Sequence, residues 1–183
     1  GRSMADAGIK LEDRVDLRGM SEEMRYAHAV RLIAENAPLR ITVGEQVVGS
    51  ATFREAAFHA VPIYGKSSVS HTTLGFHDVL KIGYKGLRRQ IVQRRERGGL
   101  DEKGFDLLKA MDVCLDAAGL WHRRHIELLE KLIAASTGDE QAGYRRVLAN
   151  LRNVPENPPA TFAEAVQSLW FMYAFQRSCG NWS

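Results

Sequence analysis

The sequence predicts a mainly α fold with little or no β structure, and three observations carry that prediction. Apolar residues recur at helical spacing from Ser21 onward. A seam of Leu108, Met111, Leu115, Ala118, His122, His125, Leu129 and Leu132 advances in steps of three and four, which keeps one face of a helix apolar along its length. Near the end, the proline-stiffened stretch Val154-Pro155-Glu156-Asn157-Pro158-Pro159 leads into Thr161 and Glu164, the pair that forms a capping box at a helix start.

Taken in order, residues 1–19 are set apart as a tag remnant, Gly1 to Ser3 ahead of Met4, followed by a flexible amino terminus, and residues 20–183 form one helical domain. Ser21 caps a helix whose first turn places Glu22 and Glu23 at the positive end of the helix dipole. Its stripe of Met24, Ala27, Val30 and Ile33 stops near Pro38. Ile41 to Gly49, with Val43, Val47 and Val48, reads as extended. From Ala51 to Thr73 no period holds, and Pro62, Gly65, Ser67, Ser68 and Ser70 mark a long irregular connection. Connections of that length in compact domains are usually functional or pack under something else.

Helical pattern returns at Phe76 and runs to Arg97, with Leu80, Tyr84, Leu87 and Ile91 on one face, until Gly98-Gly99 ends it. Asp101 caps the long helix of the seam, which reaches Ser136. A shorter helix follows from Asp139 to Leu151. The final helix, beginning at Thr161, is expected to bury Phe162, Ala165, Val166, Leu169, Trp170 and Tyr173. It should lie lengthwise on the seam, with Leu115 buried between them.

At 183 residues and 45% hydrophobic, the chain has enough apolar material for a core. No run approaches the roughly 18 apolar residues of a membrane helix, and the amino terminus lacks the apolar stretch of a signal peptide. Two cysteines, neither in a CxxC, cannot form a disulfide framework, which points to a reducing, cytoplasmic location. A net charge of +3, from 25 basic against 22 acidic residues, is weak support for a nucleic-acid partner.

Several constellations invite a chemical reading, and each has a structural one beside it. His122 and His125 stand one turn apart with Arg123 and Arg124 between them, so they could hold a metal or an anion. Both histidines fall on the apolar seam, however, and a zinc site needs three or four ligands, which favours core packing. Lys81, Lys85 and Arg88 could track phosphates, but no aromatics interleave them for base stacking, and a solvated or ion-paired face fits better. Cys179 could be a nucleophile only with a partnering base, and none is evident; Cys114 on the seam reads as a small core residue.

The terminal stretch Val154 to Phe171 resembles the "VP..PA.TF.EALQ..WF" segment of the pyruvate formate-lyase-like glycyl radical enzymes. Three further places agree with it in the same order. Ser70-His71-Thr72-Thr73-Leu74-Gly75-Phe76 through Leu87 is similar to that family's "GH..PDY..VL..G..GI" run, keeping His71, Val79, Leu80, Gly83 and Gly86 and departing at Ser70, Leu74, Gly75 and Phe76. Upstream, Glu45 to Ser50 resembles "E..VGN", and Trp121 to Leu128 resembles "FA.RYA.LA", keeping Arg124 with His125 in place of tyrosine.

The resemblance implies that the chain is the helical amino-terminal region of an enzyme built on a ten-stranded α/β barrel, stopping ahead of the barrel core. In such enzymes a backbone glycyl radical, installed by an S-adenosylmethionine iron-sulfur activating enzyme, passes to a cysteine whose thiyl radical attacks the substrate. The parent would be a lyase, dehydratase or formate acetyltransferase-like enzyme cleaving C–C, C–O, C–N or C–S bonds. Neither the glycine loop nor the cysteine loop is found here, so no catalytic residue and no metal ligand is assigned, and this chain alone is expected to be inactive. Implied partners are the remaining barrel, the activating enzyme and a second copy in a homo-oligomer. His71 is the residue expected nearest the substrate, and Trp170, Phe171 and Phe175 are expected to face the barrel. Two other readings stay open: a helical interaction domain that works alone, and a helical nucleic-acid-binding module.

Overall fold

The computed structural model describes residues 10–53 and 75–179. Among them are helices α1 (Glu22–Asn36), α2 (Phe76–Glu96), α3 (Glu102–Ala135), α4 (Gly138–Asn153) and α5 (Phe162–Ser178), and no strand. Each predicted helix is present, and the caps explain where three of them begin. The Met24 N–H donates to Ser21 Oγ at 3.4 Å, the Gly104 N–H to Asp101 Oδ1 at 2.8 Å, and the Glu164 N–H to Thr161 Oγ1 at 3.2 Å. The return half of the capping box reaches one residue further than expected. Glu164 Oε2 accepts from the Ala160 N–H at 2.6 Å and from Asn153 Nδ2 at 2.9 Å, tying the start of α5 to the end of α4.

The 34-residue α3 is the spine. Helix α1 runs parallel to it, with Met24 and Ala27 packed on Ala110 at one end. At the other end, Arg124 Nη1 and Nη2 donate to the Ala34 and Ala37 carbonyls at 2.6 and 3.0 Å, satisfying orphaned acceptors at the carboxy terminus of α1. Helix α2 runs antiparallel, with the Arg88 guanidinium spanning Asp112 and Asp116 at 2.8 and 2.9 Å. Helix α4 folds back along α3, and Gln141 Nε2 donates to the Ile133 and Ser136 carbonyls at the turn. Helix α5 crosses the spine with Phe171 and Phe175 on the Trp121 ring, centroids 4.5 and 5.2 Å apart.

The core centres on Trp121, Phe171, Leu129, Leu151 and His125, all 0% exposed. His125 occupies the position as a neutral ring. Its Nδ1–H donates to the Trp121 carbonyl at 2.9 Å, leaving Nε2 to accept from the Thr52 hydroxyl at 3.0 Å. That hydroxyl's one proton is shared with the Arg40 carbonyl at 2.8 Å, while the Arg40 N–H donates to its oxygen at 3.0 Å. Burial is the main reason the His125 pKa falls to about 3.

Five expectations need correction. Ile41 to Gly49 is not extended, because Glu45 folds it: one carboxylate oxygen accepts the Thr42 N–H and the other the Ala51 N–H, each at 3.1 Å. Gly44 and Gly49 take left-handed φ values of 80° and 114° within that turn. The inward face of α5 is Gln167, Ser168, Phe171, Met172, Ala174, Phe175 and Ser178, while Phe162, Val166 and Leu169 are 85%, 37% and 40% exposed. Apolar residues lie nearly all round this helix, so periodicity could not choose, and the Gln167 side chain decides. Its amide pairs with Val48 both ways, Nε2 to the Val48 carbonyl and the Val48 N–H to Oε1, each at 2.9 Å.

Residues 10–19, grouped with the tail above, are packed onto α1: Leu11 is 0% exposed against Ala29 and Leu32, with Val15 and Leu17 beside it. Finally, α2 is interrupted at Gly83, where φ is 64° and ψ 177°. The Leu115 side chain, expected at a buried centre, is only partly buried.

Two measurements check this packing. Leu129→Ala should cost about 2–5 kcal/mol in denaturant unfolding, a fully buried large-to-small change, whereas Leu115→Ala should cost about 1–2 kcal/mol. The lowered His125 pKa means the unfolded chain binds a proton that the folded chain refuses, so stability is whole above the unfolded value near 6.5 and is lost as pH falls toward about 3. Unfolding titrations between pH 7 and 4 should show a fall that His125→Gln flattens by about 1.4 kcal/mol per pH unit below the unfolded value.

Candidate functional site

The sequence-predicted residue nearest the substrate, His71, lies outside the described residues, as does the irregular run beyond Phe53 up to residue 74. What the described residues establish is the setting on either side of that run and the fate of the other candidates.

His122 and His125 do not form a metal centre. His122 Nε2–H donates to the Leu151 carbonyl at 2.6 Å and His125 is committed to Trp121 and Thr52, so both rings serve the core. Burial lowers the His122 pKa, with the Leu151 carbonyl and Glu156 working against it. No group of three or more potential ligands occurs among the described residues. Arg124, weighed as an anion holder, is consumed in capping α1.

The thiols are equally removed from nucleophilic chemistry. Burial pushes the Cys114 thiol up to about 11 and the Cys179 thiol higher still, and Cys179 is 7% exposed. On α2, Arg88 is held by two aspartates and Lys85 Nζ donates to Asn157 Oδ1 at 3.1 Å, so the basic stripe is partly spent inside the chain. That removes the main support for tracking a phosphate backbone.

The most constrained geometry is the meeting of α2 with the loop between α4 and α5. Val154 and Pro155 are buried, joined by a cis peptide bond. The Tyr84 and Lys85 N–H groups donate to the Pro155 and Glu156 carbonyls at 2.9 and 3.1 Å. A Cβ on Gly83 would stand 2.5 Å from the Glu156 carbonyl oxygen and 2.7 Å from the Asn157 carbonyl carbon. A Cβ on Gly86 would collide with the Ile82 side chain. Both glycines are therefore demanded by close approach, and Gly83 also by its positive φ. The sequence signalled these positions only as matches in a motif; nothing in periodicity marked the break.

Among the described residues, two apolar hollows can be traced. Residues of α1, α2 and α3, among them Tyr26, Leu87, Ile91, Leu107 and Met111, line a groove of about 760 Å³. Val43, Phe162 and Val166 border a second hollow of about 500 Å³. Of the aromatics expected to face a barrel, Phe171 and Phe175 are instead in the core, and Trp170 stacks edge-on to Phe53 at 5.9 Å.

Comparison with known proteins agrees with this fold. The family described as PFL-like, pyruvate formate lyase-like, matches residues 63–181. Isethionate sulfite-lyase of Oleidesulfovibrio alaskensis is 32% identical over 110 residues, 56% of this chain and 13% of the relative. The probable dehydratase YbiW of Escherichia coli is 30% identical over 111 residues, 58% of this chain and 14% of the relative. Among solved structures, a Roseburia inulinivorans protein described for 1,2-propanediol dehydration superposes with a TM-score of 0.75 at 19% identity, over 92% of this chain and 29% of its own. Hydroxyproline dehydratase from Clostridioides difficile gives 0.74 at 17% identity, over 97% and 32%. Matches thus span only a small part of the curated relatives and under a third of these solved chains. With its helical layer reproduced in glycyl radical enzymes and more than half its length matched by the family, this chain belongs to the pyruvate formate lyase-like family.

Proposed function

We propose that this chain is the helical layer of a glycyl radical enzyme, packed against a catalytic barrel, and that the whole enzyme is a lyase or dehydratase acting on a small organic substrate. The observation that carries the reading is the family match across residues 63–181 together with the superposition on dehydratase structures. Relatives named as a sulfite-lyase and a probable dehydratase favour C–S or C–O bond cleavage within the wider repertoire. The open faces of Phe162, Val166 and Leu169 support the layer role, since exposed apolar patches mark surfaces that meet more protein.

In this reading the layer acts by exclusion and positioning. A glycyl or thiyl radical persists only where water and oxygen are kept out, and a wall of packed helices with loops projecting from it does both. His71, inside the matched region, is the residue of this chain assigned to the substrate side. The radical glycine and the thiyl cysteine belong to the rest of the enzyme, and an S-adenosylmethionine iron-sulfur enzyme would install the radical. A cytoplasmic homo-oligomer is the assembly proposed. A second reading, a self-sufficient helical interaction domain, draws its support from the groove between α1, α2 and α3.

The test is electron paramagnetic resonance on protein treated anaerobically with the activating enzyme. The full-length protein should give a glycine-centred doublet and turnover, with His71→Ala lowering kcat/KM by about tenfold or more. The 183-residue chain by itself should give neither. A doublet on the isolated chain, or none on the full-length protein, would defeat the proposal.

A further inference from the structure

We infer that Gly83 is a joint built into α2, which lets the turns Phe76–Ile82 be set independently of the turns that follow. An uninterrupted helix would direct the Tyr84 and Lys85 N–H groups to the Leu80 and Lys81 carbonyls. Here both N–H groups leave the helix for Pro155 and Glu156, so the ladder that would make α2 one rigid rod is cut at this point. At Gly83 the backbone lies at φ 64° and ψ 177°, a conformation open essentially to glycine alone.

The two sides of the joint are anchored unequally. Beyond it, Tyr84 and Ile91 are buried, Arg88 is clamped to Asp112 and Asp116, and Lys85 is tied to Asn157. Before it, Val79 is the one buried side chain. Local opening follows the density of buried contacts and protected hydrogen bonds, so the first turns should open without disturbing the second. In sequence, Phe76 follows His71 by five residues, so the turns before the joint are the described part of the chain next to the residue assigned above to the substrate side, and to that extent the inference rests on that reading.

Hydrogen exchange on the 183-residue chain tests the joint without assuming any catalysis. Amides of Leu80 to Gly83 should exchange at least tenfold faster than those of Arg88 to Glu96. Val79→Ala should accelerate the first group about tenfold further and leave the second unchanged. Asn157→Ala, which removes the Lys85 contact and loosens the wedge of Pro155 to Asn157, should raise exchange at Tyr84 and Lys85 several-fold. Equal protection on both sides of Gly83, or a Val79→Ala effect that spreads undiminished to Glu96, would overturn the inference. Loss of activity in His71→Ala of the full-length protein bears on the enzyme reading and leaves this result untouched.

Discussion

The rest of the structure depends on the entry of the Pro155–Asn157 backbone into helix α2. Two carbonyls of that loop take the place of two helical acceptors, and the absence of a Cβ on Gly83 makes room for them. The consequences spread through the neighbouring elements. Asn157 Nδ2 donates to the Asn153 carbonyl at 3.1 Å, Asn153 in turn donates to Glu164, and Glu164 accepts the Ala160 N–H just ahead of α5. Val154 fills the core immediately before the wedge, and Tyr84 is buried immediately after the joint. Helices α2, α4 and α5 are thus fixed to one another through the eight-residue loop between α4 and α5, and α3 supplies the surface on which all of them rest.

A second polar constraint orients the loop over residues 42–51. Gln167, 1% exposed in the middle of α5, completes both backbone groups of Val48, and Glu45 completes two more. A buried amide left without these partners would be costly, so the pairing selects one rotation of α5 about its axis. That rotation buries Phe171 and turns Phe162, Val166 and Leu169 outward, where a further layer of protein can cover them. The same geometry that stabilises this chain therefore leaves it with an open apolar face suited to the role proposed for it.

Much of the fold could be read from the residues, and the failures have physical causes. Helix starts were legible because Ser21, Asp101 and Thr161 are oxygen-bearing caps placed just ahead of apolar periods, a local signal that tertiary contacts do not alter. The face of α5 was not legible, since a helix apolar on most sides carries little directional information and the deciding contact, Gln167 to Val48, spans 119 positions. The turn at Glu45 was hidden for a similar reason: valines argued for a strand, while a carboxylate bonding two backbone N–H groups decided against it. Of the candidate site, the structural roles of His122, His125, Cys114 and Arg124 follow from burial and hydrogen bonds now visible, while His71 rests on the resemblance of its motif.

The most direct test of the wedge as the organising contact is the stability of Gly83→Ala against Gly143→Ala, by denaturant unfolding of the same chain. Gly143 sits within α4 with nothing near its missing Cβ, so alanine there should be neutral or stabilise by about 0.5–1 kcal/mol through helix propensity. Alanine at Gly83 must adopt a positive φ and displace the Glu156 backbone, and should destabilise by roughly 2–4 kcal/mol. A Gly83→Ala protein as stable as Gly143→Ala would contradict the account.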